Sequence, residues 1–464
     1  MKPIRIFLFI LLTLAVLAVV CWLLPTKSYI AGNELRSPQL REVLEIEDAL
    51  PTDTVAAESV DTIAAEPVLR DTIVSDTVVA KPKPQPRPKR VVPVVEEEED
   101  TAADTIDTHI YLTRFYAALQ GADTAVVRVV HYGDSQVEGD RITMMVRRAL
   151  QGRYGGGGAG LVPLHQTIHM RTVTHTLTMN GATQSAGQGP KRYLVYGPKS
   201  NRREGNLYGP MGQVAVMNTA LVKGSDSLTL HLSTTKESIG ERYYNRLRIL
   251  RSAGVQAKVG QHQVPLNGTL TLPDSTSKVT LQLCGQGDVY GISMESDKGV
   301  VVDNIPMRGC AGTIFTGIAA EQLQTFFDAT QTRLIILQYG GNVVPYTKTK
   351  MDVRKYIERI RRQVQYLKRC APEADILFIG PSDMVQRDGG NIQTYPMVPV
   401  MDTMLQRLAV DEQIGYYSLF RAMGGRGGMQ RWREAGLAGS DYIHFTRRGA
   451  DKAGEQLAEW LMNE

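Results

Sequence analysis

The stretch Ala125–Leu150, "AVVRVVHYGDSQVEGDRITMMVRRAL", decides how the rest of the chain is read. It opens on a β-branched run from Ala125 to Tyr132, passes through Gly133-Asp134-Ser135, and continues into residues with helical spacing. Gly, Asp and Ser each favour turns through backbone freedom and local hydrogen bonding, so the tripeptide alone carries no chemistry. Its setting does, because α/β folds place their active sites in loops at the carboxyl ends of parallel strands. His131, inside the run, is expected as a hydrogen-bonded core residue of the sheet.

The same alternation returns late in the chain. "GVVVDNI" (Gly299–Ile305), "RLIILQYG" (Arg333–Gly340), "DILFIG" (Asp375–Gly380) and "IGYYSLF" (Ile414–Phe420) read as strands, each followed by a helical pattern. From about Leu161 to Lys298 the pattern is instead one of short alternating segments divided by Gly, Asn, Asp and Ser, which suggests an all-β sandwich or jelly roll. The simplest account is an α/β domain with five parallel strands, interrupted by a β-rich insertion. The expected boundaries are 109–165 and 299–464 for the two parts of the α/β domain and 166–298 for the insertion.

Two segments precede these. Lys2 and Arg5 lead into an uncharged apolar run, Ile6 to Leu24, which at ~1.5 Å per residue just reaches across a ~30 Å hydrocarbon core. The run exceeds the usual core of a signal peptide, so 1–24 reads as a retained transmembrane anchor with its N-terminus inside; a cleaved signal is the competing reading. Either places the bulk of the chain outside the cytoplasm, tethered to the cytoplasmic membrane in the first case. Residues 25–108 repeat Asp-Thr-Val/Ile units, then run through "KPKPQPRPKR" and "VVPVVEEEED", the composition of a disordered linker with a stiff polyproline middle.

Composition excludes some classes. With 464 residues, 43% hydrophobic and 22% charged, the chain is globular in character, and 52 basic against 48 acidic residues is too balanced for a dedicated nucleic-acid binder. Beyond Cys21, the three cysteines Cys284, Cys310 and Cys370 have no metal-like spacing, and whether Cys284 pairs with Cys310 is left open. His165, His169 and His175 lack nearby carboxylates or thiols and read as surface or packing residues, so neither a metal nor another cofactor is expected. "GGGGAG" (Gly155–Gly160) follows a helix and lacks a Gly-Lys-Ser/Thr, which makes it a flexible turn and not a phosphate loop. Tyr243, Tyr244 and Trp432 read as core aromatics with sugar stacking as the alternative, and Arg202, Arg203, Arg242 and Arg246 as a solvated face or contacts for an anionic glycan.

If the five strands form one parallel sheet, the residues just past their carboxyl ends share a rim. The first strand gives Gly133-Asp134-Ser135, the second "NIPMRGCAG" with Gly309, and the third "QYGGNVVP" with Asn342. Shortly after the fifth comes "GSDYIHFTRRG", with Asp441 and His444 ahead of the last helix. In these blocks the chain resembles the SGNH hydrolases, also called the GDSL esterase/lipase family, named for Ser, Gly, Asn and His in four separate blocks. The matching residues are Ser135, Gly309, Asn342 and His444, in the family's order.

The resemblance implies a flavodoxin-like SGNH fold and a Ser-His-Asp hydrolase. Ser135 would be the nucleophile, His444 the general base and acid, and Asp441 the partner that orients the imidazole. The backbone N–H groups of Ser135 and Gly309 and the Asn342 amide would form the oxyanion hole, with Gly133 and Asp134 supporting the turn. A shift of register at the second block would make Gly312 the donor instead. Gln136 stands where the namesake motif has Leu, a departure common among the family's exported carbohydrate esterases. The anchor, the glycine-rich segment and the β insertion are similar to periplasmic peptidoglycan O-acetylesterases, in which the insertion resembles a carbohydrate-binding module. The implied substrate is an acetylated glycan, with peptidoglycan favoured. An O-acetyltransferase using the same triad and a non-catalytic glycan-binding envelope protein are the alternatives.

Overall fold

Buried parallel strands read as continuous apolar runs, and five such runs lie side by side in the computed structural model of the chain. It describes residues 27–30, 33–36, 106–179, 182–183, 190–198, 201–218, 227–238, 242–388 and 391–463. The chain divides into two units, Met1–Pro84 and Gln85–Glu464. Within the first, Lys27–Ile30 pairs antiparallel with Asn33–Arg36, so two paired strands stand within the stretch expected as a disordered linker. The apolar run Ile6–Leu24 and the Pro-rich stretch lie outside the described residues. No helix among the described residues is long and apolar enough to cross a membrane.

The second unit contains the parallel sheet. Its strands are β1 (Val126–Gly133), β2 (Gly299–Pro306), β3 (Thr332–Gln338), β4 (Asp375–Ile379) and β5 (Gly415–Tyr417), in the order β2-β1-β3-β4-β5. The helices are α1 (Thr113–Leu119), α2 (Thr143–Tyr154), α3 (Ala320–Ala329), α4 (Lys350–Cys370), α5 (Met397–Asp411), α6 (Leu419–Ala422), α7 (Gly428–Glu434) and α8 (Arg447–Met462). All five strands are parallel. This order reverses direction between β1 and β3, and the crevice at such a switch point is where doubly wound folds bind ligands.

Each face of the sheet has its own core. On one side Val130 and Tyr132 of β1 and Ile335 and Leu337 of β3 pack with Val353, Tyr356, Ile360, Val364 and Leu367, the apolar stripe of α4. On the other, Val127 and Val129 meet Val146 and Leu150 of α2 and Leu457 and Leu461 of α8. Helix α4 begins with a capping box in which Thr349 and Asp352 satisfy each other's backbone N–H, a device worth about 1 kcal/mol.

Among the described residues the insertion has eleven antiparallel strands around a third, separate core, starting with Gly160–Val162. Its longest strand, Lys278–Glu295, changes partners along its length. Residues 278–285 pair with Leu228–Thr234 and Val255–Val259, and residues 286–295 pair with Gln213–Asn218 and Tyr244–Arg251. Tyr244 and Trp432 are core residues, whereas Tyr243 is exposed with Arg242 stacked on it at 4.9 Å.

The glycine-rich segment is not the flexible turn expected. A Cβ at Gly156 would lie 2.3 Å from the Val300 carbonyl oxygen, and one at Gly158 2.3 Å from that of Met294. The backbone is therefore pressed between the sheet and the insertion, an approach that only glycine permits. The same junction carries Arg128 of β1, buried, whose guanidinium donates to both oxygens of Asp303 on β2 at 2.7 and 2.8 Å, to Ser293 Oγ, and to Glu295 of the insertion. Cys284, Cys310 and Cys370 are all free thiols; the second lies under the rim of the parallel sheet and the first on a strand of the insertion. The Cys284–Cys310 pairing left open above does not form.

Candidate active site

Three of the rim residues are in direct contact. Ser135 Oγ lies 2.9 Å from His444 Nε2, and His444 Nδ1 lies 2.7 Å from Asp441 Oδ2. With its Nδ1–H donated to the carboxylate, His444 presents Nε2 as an acceptor for the Ser135 hydroxyl. Partial burial alone would raise the Asp441 pKa. The His444 ring and the N–H groups of Ile443 and His444 outweigh it and hold the carboxyl down at about 2, so it is ionised at any ordinary pH.

The loop that carries this pair is closed on itself. Gly439 N–H donates to the His444 carbonyl at 2.7 Å, Ala438 bridges Phe445, and Thr446 caps α8 by accepting from Gly449 N–H. Tyr442 takes φ +55 between Asp441 and Ile443, a left-handed conformation uncommon for a bulky residue. Arg387, from the hairpin Val385–Asp388 and Asn391–Thr394, sits 5.8 Å from the centre of the Tyr442 ring and covers it.

The nucleophile turn is built by Asp134, whose Oδ1 accepts from Gln136 N–H at 2.9 Å and whose Oδ2 accepts from the Asn342 amide at 3.0 Å. The Asn342 amide also donates to the Cys310 carbonyl at 3.1 Å, so the second, first and third blocks are tied through one side chain. Gly133 O accepts from Met307 N–H at 2.7 Å. That bond sets β1 and β2 in register at the rim, with Ser135 and Gly309 each two residues beyond it. Neither the Ser135 nor the Gly309 N–H donates a hydrogen bond among the described residues. Gly312, the alternative donor, gives its N–H to Cys310 Sγ at 3.3 Å, and a Cβ there would meet the Tyr339 ring at 2.7 Å.

Burial pushes the Asp134 carboxyl up to about 6, against the pull of the Gln136 N–H, of His444 and of Asn342. Its folded-state pKa therefore lies above the ordinary value of 3.8, and between about pH 4 and 6 the native protein holds a proton that the unfolded chain has lost. Stability from this group consequently falls as pH rises through that window. An Asp134→Asn variant, which cannot ionise, is expected to lose less stability than the wild type between pH 4 and 7, as read from urea unfolding at the two pH values.

Beneath the turn, His131 is fully buried and hydrogen bonded to Gln338 Oε1 at 3.1 Å and to Thr143 Oγ1 at 2.9 Å, as a core residue of the sheet. Burial drives its pKa down to about 3, so it stays neutral. His175 Nε2 lies 3.0 Å from the Pro163 carbonyl oxygen in the insertion, away from the triad's partners.

Two further ties had no signal in the sequence. Gln136 Nε2 donates to the Ile443 carbonyl at 2.7 Å, and Arg141 donates to the carbonyls of Ser135, Glu138 and Phe445. Both fasten the nucleophile turn to the His444 loop, Gln136 from the very position where the sequence departs from the family motif. Their acceptors are backbone oxygens, which leave no residue-type signal. Gln136→Ala is expected to lower kcat on a chromogenic acetate ester about tenfold with little change in KM, because small misplacements of a base are costly. Steady-state kinetics of the two proteins measure it.

Ser135, His444 and Asn342 open into a cleft of about 210 Å³, whose wall is completed by Tyr346, Pro381, Met384 and Ile443 among others. A hydroxyl, an imidazole and a carboxylate in relay beside free N–H groups can carry acyl transfer. No family model and no curated protein matches the sequence. Among solved structures, that of a peptidoglycan O-acetylesterase aligns with a TM-score of 0.58 at 20% identity, covering 77% of this chain and 95% of its own. The chain has the fold of the SGNH hydrolases. A family two carbohydrate esterase from Cellvibrio japonicus aligns over 62% of this chain and 97% of its own, with a TM-score of 0.26 and 11% identity. The periplasmic domain of a lipopolysaccharide acetyltransferase from Salmonella ser. Paratyphi A aligns over 36% of this chain and 74% of its own, with a TM-score of 0.26 and 14% identity.

Proposed function

We propose that this SGNH-fold chain is a serine esterase that removes O-acetyl groups from a glycan, with peptidoglycan as the favoured substrate. The observation that carries the reading is the Ser135–His444–Asp441 relay, at 2.9 and 2.7 Å, opening on a cleft at the carboxyl rim of the sheet. The substrate class is supported by the shared architecture with a peptidoglycan O-acetylesterase over most of both chains.

In this reading Ser135 Oγ attacks the acetyl carbonyl while His444 Nε2 takes its proton. Negative charge develops on the carbonyl oxygen and is met by the N–H groups of Ser135 and Gly309, and by the Asn342 amide as it turns one N–H away from the Cys310 carbonyl. The C–O bond to the sugar then breaks, His444 returns the proton to the leaving sugar hydroxyl, and an acetyl group remains on Ser135. Water, deprotonated by His444, attacks that ester, and acetate leaves as Ser135 regains its proton. Asp441 stays ionised throughout and holds the imidazole in the required tautomer. Asp134 is a positioning residue, fixing both the turn and the Asn342 amide.

The apolar run Ile6–Leu24 would hold the enzyme at the cytoplasmic membrane with its catalytic unit outside, on the side where a cell-wall glycan is met. The test is acetate release by the full chain from O-acetylated peptidoglycan. Release without added acceptor supports an esterase; acetate that appears only as a new ester on an acceptor glycan would move the reading to a transferase.

A further inference from the structure

We propose that Tyr346 is a stacking platform for a pyranose ring of the glycan beside Ser135, and so a specificity-determining residue; this rests on the esterase reading above. Tyr346 is 65% exposed, the most exposed of the large apolar side chains among the described residues. Single exposed aromatics are ordinary on protein surfaces. This one differs in place: of the seven such side chains it alone lines the cleft that holds Ser135 and His444.

Its backbone is fixed while its ring is free. The turn Val344–Tyr346 carries Pro345, Tyr346 N–H donates to the Val343 carbonyl at 3.0 Å, and Val344 is fully buried beneath. The same loop holds Asn342, so the ring is presented at a set position relative to the site of acyl transfer. Packing does not require the ring there, since most of its surface faces solvent.

The chemistry of the wall selects the ligand. Pro381, Met384 and Ile443 share the wall with Gln136, Gln338 and Ser382, and no Lys or Arg among the described residues lines the cleft. Such a wall suits an uncharged ring with one apolar face. A pyranose has that character: its axial C–H groups, slightly positive, lie against the negative face of an aromatic ring, while its hydroxyls stay in water. An anionic ligand would find no counter-charge, and a long acyl chain no enclosed channel, in an open cleft of about 210 Å³.

The experiment compares the full-length wild type with Tyr346→Ala, Tyr346→Phe and, as a surface control outside the cleft, Met351→Ala. Acetate release is followed from soluble O-acetylated peptidoglycan fragments and from an aryl acetate that lacks a sugar. Tyr346→Ala is expected to raise KM for the fragments about threefold to tenfold with kcat little changed, and to affect the fragments more than the aryl acetate. Tyr346→Phe and Met351→Ala should keep the wild-type KM. An unchanged KM for the fragments, or equal losses on both esters, overturns the platform while leaving the esterase standing. A wild type that releases acetate from neither ester contradicts the esterase itself. In that event calorimetric titration of the wild type and Tyr346→Ala with the same fragments decides separately: equal binding, or none by the wild type, overturns the platform.

Discussion

Ser135→Ala should reduce turnover of an aryl acetate and of O-acetylated peptidoglycan by about 10⁴-fold to 10⁶-fold, while the fold is retained. The side chain is partly exposed on a turn held by other groups, namely Asp134, Gln136 and Arg141, none of which bonds to the hydroxyl. The loss is therefore one of chemistry and not of packing. His444→Ala should cost nearly as much, since serine and imidazole act as one unit and their effects do not add. Circular dichroism of the variants separates the two causes, and an active, folded Ser135→Ala protein contradicts the mechanism.

The largest effect on stability is expected at the junction of the sheet and the insertion. Arg128→Met would leave Asp303 and Glu295 buried without their shared cation, at a cost of about 3–5 kcal/mol. The long stem of methionine fills most of the space of the arginine, so little of this loss comes from a cavity. Arg248 donates to Glu295 Oε1 at 3.1 Å and the Leu161 N–H to Asp303 Oδ1 at 2.8 Å, which is only partial compensation because Asp303 keeps no cation. Urea unfolding of the full chain measures the change. A midpoint within experimental error of the wild type would mean that the carboxylates do not depend on Arg128.

Arg128 also illustrates what was hidden in the sequence. It lies inside "AVVRVV", a run whose apolar character predicts a buried strand, and nothing near it announces the two carboxylates that make its burial tolerable. Those come from β2 and from the end of the longest insertion strand, far away in the chain. The strands themselves were legible because a parallel sheet covered on both faces needs unbroken Val, Ile and Leu, as in Val300–Val302 and Leu334–Leu337. The glycine-rich segment was misread for the opposite reason. Glycine signals a turn locally, and only the tertiary contacts to Val300 and Met294 reveal that it serves close packing.

The candidate site divides in the same way. Ser135, Asn342, Asp441 and His444 could be placed on one rim because each follows a recognisable strand or precedes a recognisable helix. Gln136 and Arg141 could not, since they act on backbone carbonyls of the His444 loop, which any sequence supplies. Tyr346 was equally silent: an aromatic residue after a Pro in a loop has no pattern that distinguishes packing from exposure.

In the proposed mechanism Ser135 carries the acetyl group between glycan and water. The direct measurement is to mix the full chain with O-acetylated peptidoglycan, quench with acid within the first turnovers, and examine the proteolytic peptides by mass spectrometry. One added acetyl group is expected on the peptide containing Ser135, absent from the Ser135→Ala protein and lost with time as acetate accumulates. Acetate release with no acetyl group on Ser135 at any time, or an acetyl group on another residue that is turned over at the same rate, would contradict it.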